Sequence, residues 1–116
     1  MESPQILLQW SKLILFSKEE VEKLTDSIEA VFRVSKKEAD GKFYVVFVGS
    51  TTDLKKELDT LLFKEHMKSG EFSFRYAPLK DEEMRKSVEK QMYKQYAPKY
   101  NIKEPESSLE VRANLI

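Results

Sequence analysis

Apolar residues recur at every second position in some runs of this chain and at every third or fourth in others, and that switching predicts its elements. Lys42 to Val48, KFYVVFV, is almost wholly β-branched or aromatic and reads as a strand until Gly49 interrupts it with a turn. The polar Ser50-Thr51-Thr52-Asp53 then hands over to Leu54, Leu58, Leu61 and Leu62, a capped helix running to about Met67. Apolar residues on both parities of the strand call for cover on both faces, which places it centrally in its sheet.

Upstream, Ile6 to Phe16 (ILLQWSKLILF) suits a strand or a short buried helix equally, with Trp10 as a packing residue. Ser17-Lys18-Glu19-Glu20 is a capping box ahead of a short helix to about Thr25. From Ser27 the period becomes two: Ile28, Ala30, Phe32 and Val34 take one side of a strand, Glu29 and Arg33 the other. Asp40-Gly41 supplies a hairpin turn that makes the next strand antiparallel. Downstream, Ser69-Gly70 closes the Asp53 helix, and Phe72, Phe74 and Tyr76 alternate with Glu71, Ser73 and Arg75 in a third strand ended by Pro78. Acids at Asp81 to Glu83 open a last helix whose buried stripe is Met84, Val88, Met92 and Tyr96, and which stops before Pro98. The segment 103–108 has a linker's composition, and Leu109 to Ile116 (LEVRANLI) reads as an added strand, a partner-binding tail or a frayed end.

The expectation is therefore an α/β fold, a small three-stranded, mainly antiparallel sheet flanked by helices. An apolar segment and short helix at 1–26 pack on a domain at 27–101, followed by a linker and tail at 102–116. With 116 residues and 41% hydrophobic content the chain suits a single core. The absence of cysteine removes disulfides, thiolate zinc sites and a cysteine nucleophile, and one histidine, His66, read as a surface residue, builds neither a histidine metal site nor a triad by itself. The acidic start and the polar breaks at Gln9, Ser11 and Lys12 argue against a signal peptide or a membrane span, so a cytoplasmic location is the default expectation. Net charge is zero, yet Val31 to Asn101 holds 15 Lys and Arg against 11 Asp and Glu.

The order hairpin, helix, strand, helix, with Val31-Phe32, then Phe47-Val48-Gly49-Ser50 running into Asp53-Leu54-Lys55-Lys56, then Glu89 twelve residues before the Asn101 of YAPKYN, resembles the GIY-YIG nuclease superfamily over Val31 to Asn101. That resemblance implies two strand tyrosines, a helix arginine at the scissile phosphate and a glutamate holding Mg2+ or Mn2+. Glu89 falls at the glutamate's place and Gly49 at the turn glycine's. The tyrosines are replaced by Phe32 and Phe47, and the arginine by Glu57. Phenylalanine exchanges no proton, and a carboxylate repels the phosphate a guanidinium would clamp. Tyr44, three positions before Phe47, would project from the opposite face and cannot stand in for it without a register change. Lys56 lies about 100° around the helix from Glu57 and points away from the same cleft. Arg75 is a candidate replacement cation, weighed against an ordinary surface arginine.

The resemblance implies a catalytically impaired domain acting as a nucleic-acid-binding module, with DNA or RNA approached by Lys55, Lys56, Arg75, Lys86, Lys90, Lys94 and Lys99. Two other readings stand beside it. One is a divalent-metal-dependent phosphodiesterase with Glu57 and Glu89 sharing the cation. The other is a protein-interaction or structural domain, monomeric or homodimeric through the LEVRANLI tail.

Overall fold

The computed structural model describes residues 4–64, 67, 70–101 and 103–115. His66 and Ser69 lie outside them. The described chain is mixed α/β. Its elements in order are β1 (Gln5–Ile6), β2 (Ile14–Leu15), α1 (Lys18–Glu22), β3 (Ala30–Lys37), β4 (Phe43–Thr51), α2 (Leu54–Leu62), β5 (Glu71–Pro78), α3 (Glu82–Tyr96) and β6 (Arg112–Ala113). The main sheet has four antiparallel strands in the order β2-β5-β3-β4, and β1 and β6 form a separate parallel pair. The predicted three-stranded sheet thus gains Ile14–Leu15 as a fourth strand beside β5. The ambiguous segment from Ile6 to Phe16 contains no helix; it follows β5 through Ser11 and Phe16, whose amides donate to the carbonyls of Tyr76 and Phe72.

Local chemistry sets the element ends. Ser17, Asp53 and Asp81 each accept a hydrogen bond from the amide three residues on, at 3.2, 3.3 and 2.9 Å, satisfying orphan donors at the three helix starts. Glu20 pairs with Lys23 instead of reaching back to close the capping box. Both early helices are shorter than predicted, α1 stopping at Glu22 and α2 at Leu62. At Asp40-Gly41 the glycine takes φ +80° and the Asp40 carboxylate accepts from the Lys42 amide, which turns β3 back into β4.

Two corrections concern β4. It is an edge strand, not the central one; β3 lies between it and β5. Both its parities are apolar because each face of the sheet carries its own core. Phe32, Val34, Phe74, Leu54 and Leu58 fill one, and Val31, Val48, Ala77, Val88 and Met92 the other. The outer edge is closed by Tyr100, whose amide donates to the Val46 carbonyl, and by the Asn101 amide, which donates to Val48 O and accepts from Val48 N, both at 2.9 Å. The second correction is Gly49, which lies within the strand and opposite Phe32, not at a turn. A Cβ there would come within 2.5 Å of Phe32 Cζ, so close ring approach is what requires glycine.

Residues 107–115 form a strap across α3. Gln91 bonds both backbone groups of Ala113 at 3.0 Å, Asn114 does the same for Leu8, and Trp10 Nε1 donates to the Asn114 carbonyl. The side chain of Val111, within the strap, is buried. Of the three options for the tail, an added strand is what forms, paired with β1 and not with the main sheet. Among the described residues no helix is long and apolar enough to cross a membrane.

Candidate functional site

The residues singled out by the resemblance fall into two groups. Phe32 and Phe47 project from the same face of the sheet, their rings stacked at 5.9 Å between centroids and 30° between planes, in the cluster that α2 covers. Phe32 is fully buried and Gly49 sits beneath its ring. Ser50 is adjacent to Gly49 and therefore faces the other way, opposite Val31. Its hydroxyl donates to Glu89 Oε1 from α3 at 2.5 Å. The aromatic pair and the carboxylate are thus carried on opposite faces of β4.

Glu57, in the first turn of α2, is half-buried and close enough to act on Glu89. Burial pushes the Glu89 carboxyl above the usual range; the Ser50 hydroxyl opposes this, Glu57 adds to it and Lys86 opposes it again. A raised folded-state value means that the folded chain holds a proton more tightly than the unfolded one. Glu89 therefore favours folding at low pH, and that contribution is lost as pH rises from the ordinary carboxyl value through the raised one. Glu89→Gln keeps an acceptor for Ser50 and removes the charge. Its melting temperature is expected to exceed the parent's at neutral pH and to match it near pH 4. Thermal unfolding across that range checks this, and a variant with the parent's pH slope would contradict it.

The alternatives weighed for the missing groups are placed as follows. A register shift between Val34 and Ser35 leaves Val46 as an extra residue in β4, since Val34 opposes Phe47 and Ser35 opposes Val45. The bulge reverses the parity, so Tyr44, opposite Lys36, shares a face with Phe47, contrary to the strict alternation expected. Its hydroxyl is nonetheless committed to Asp40 at 2.5 Å near the hairpin tip. The groove of about 550 Å³ beside it, walled by Tyr44, Val45, Val46 and Lys99, lies toward the opposite end of β4 from Ser50 and Glu89.

The proposed basic border is partly engaged. Lys55 pairs with Asp26 at 3.5 Å, Lys86 with Glu82 at 3.6 Å and Lys94 with Glu104 at 3.9 Å, while Lys90 donates to the Ser107 carbonyl and Lys99 lies over the Tyr100 ring. Lys56 borders a groove with Asp59, Thr60 and Phe63. Arg75 is half-buried on β5, directly opposite Arg33 of β3.

Arg33 was not among the residues singled out for chemistry. It is only 7% exposed, 4.5 Å from the Trp10 ring centroid and 5.5 Å from that of Tyr96. Both hydrogen bonds from its Nη1 reach neutral acceptors, the Tyr96 hydroxyl and the Leu115 carbonyl. The sequence signal was an arginine at a strand position between Val31 and Ser35, with apolar neighbours on either side.

Among the described residues no group of three or more acidic, histidine or cysteine side chains is arranged to hold a metal ion. No family model, curated protein or solved structure matches this chain.

Proposed function

We propose that this chain is a GIY-YIG-like domain that has lost the standard nuclease mechanism and serves as a nucleic-acid-binding module. The observation that carries the reading is the stacked Phe32–Phe47 pair, Phe32 fully buried and Phe47 partly so, closed from below by Gly49. Where the resemblance calls for two hydroxyls there are two rings, and an apolar cluster offers no proton acceptor. Removal of several catalytic groups leaves little of a rate, even though such effects do not add. The ion pairs at Lys55, Lys86 and Lys94 do not prevent phosphate contacts, because exposed pairs are weak and exchange readily. Salt titrations with duplex, branched and single-stranded DNA test the proposal: salt-sensitive affinity at low ionic strength is expected, and its absence on all three would refute it.

The second reading is a divalent-cation site, favoured by the action of Glu57 on the desolvated Glu89. Two neighbouring carboxylates offer oxygen donors suited to Mg2+ or Mn2+, and Glu89 and Glu57 would hold the ion. Such a cation supplies Lewis acidity toward a phosphoryl oxygen. Cleavage of plasmid or flap DNA with either metal, abolished by Glu89→Ala, is the expected result on this reading. Cleavage that survives the substitution places the activity elsewhere.

A further inference from the structure

The face of the sheet that carries α3 changes character along β3 and β5. Val31 and Ala77 oppose each other in the apolar cluster with Val88; the next row is Arg33 opposite Arg75, the next Ser35 opposite Ser73, and the last Lys37 opposite Glu71. The final row neutralises itself, with Lys37 Nζ 3.6 Å from Glu71. The Arg33–Arg75 row does not. Like charges directly across a sheet are unfavourable, and here one of the two arginines is buried. Ser35 and Ser73 are 7% and 6% exposed.

Among the described residues neither guanidinium has a carboxylate partner, and neither serine hydroxyl nor the Arg75 side chain bonds another residue; none of these groups is a fully buried orphan, so they are open to solvent and to a ligand. Arg33 is anchored through Nη1 alone, between the rings of Trp10 and Tyr96. Burial lowers its pKa from the usual arginine value; Tyr96 opposes that and Arg75 adds to it. An arginine pinned by two rings and a carbonyl is pre-oriented, so little side-chain freedom is lost when its remaining donors meet a ligand.

We propose that Arg33, Arg75, Ser35 and Ser73 form a receptor for a tetrahedral oxyanion of the phosphate class. Two guanidinium groups and two hydroxyls in a two-by-two block provide more donors than a carboxylate's two oxygens need, and they suit an anion with three or four. The charge balance agrees, since a dianion offsets both arginines. The inference is independent of the nucleic-acid reading, because a free phosphate or a single phosphate ester satisfies it.

The test is an NMR titration of the full-length protein with inorganic phosphate, run against chloride at matched ionic strength. Saturable shifts of the residue 33, 35, 73 and 75 amides are expected with phosphate and not with chloride. Arg75→Gln, at a half-exposed position that leaves Arg33 and its ring contacts in place, is expected to weaken half-saturation at least about tenfold. Ser73→Ala should weaken it by a smaller factor, with the fold intact. Phosphate shifts no larger than those of chloride would overturn the proposal, as would unchanged half-saturation in folded Arg75→Gln. Acetate as effective as phosphate would overturn its tetrahedral part. A 5′-mononucleotide that saturates the same amides more tightly than inorganic phosphate identifies an ester as the ligand, and the reverse ranking identifies the free anion.

Discussion

A chain ended after Asn101 is expected to lose cooperative folding, or to lose at least about 4 kcal/mol of stability. The strap at 107–115 buries Val111 against Leu8 and Met92, and complete burial of a valine is worth about 1.5–3 kcal/mol. It also supplies the partners of Ser87, Gln91, Trp10 and Tyr96, each bond contributing about 1 kcal/mol net. Its removal leaves Arg33 beside Tyr96 without the Leu115 carbonyl. Small domains have only about 5–15 kcal/mol in total, so such a loss dominates. Asn114→Ala isolates one part: both bonds to Leu8 disappear, and a cost of about 2 kcal/mol is expected. Urea denaturation measures both changes. A truncated chain with the parent's midpoint would show that the strap contributes nothing to the fold.

Gly49→Ala is expected to cost about 3 kcal/mol, the upper end of what overpacking imposes. The new methyl would sit 2.5 Å from Phe32 Cζ and 2.7 Å from Cε1, on a ring that is fully buried and stacked on Phe47. Phe32 is fully buried in its cluster, so the ring must be displaced against its neighbours to admit the methyl. Phe32→Leu in the same chain removes the clash, and a double-mutant cycle should return a favourable coupling between the two sites. Additive losses would mean that the strain arises elsewhere. The complementary substitution, Phe32→Tyr, restores the hydroxyl named by the nuclease resemblance but places it in an apolar cluster, at a cost of about 1–3 kcal/mol if it finds no partner.

The hairpin, the helix starts and the third long strand were legible because each depends on a few neighbouring residues. Asp40-Gly41 needs only a left-handed glycine, and Ser17, Asp53 and Asp81 need only an amide three positions on. The misread features depend on residues distant in sequence. Period-two reasoning gave the wrong face for Tyr44 because Val46 is a bulge residue, visible only in the pairing of β4 with β3. The two-sided apolar pattern of β4 predicted a central strand, whereas Tyr100 and Asn101 close its edge from more than fifty positions away. Ile6 to Phe16 was ambiguous because β5 and the strap decide its conformation. For the candidate site, residue types were readable, but the side of the sheet was not: Glu89 meets Ser50 on the face opposite Phe32 and Phe47. The Arg33–Arg75 juxtaposition required the β3–β5 register.

The clasp between Leu8 and Asn114 joins positions 106 apart in the chain. Closing so wide a loop is entropically slow unless the sheet and α3 have already brought the two segments near each other, so this contact should form after the folding barrier has been crossed. Substitutions at Asn114 and Gln91 should then accelerate unfolding while scarcely changing the refolding rate. The lifetime of the native state is held by a contact that plays no part in reaching it.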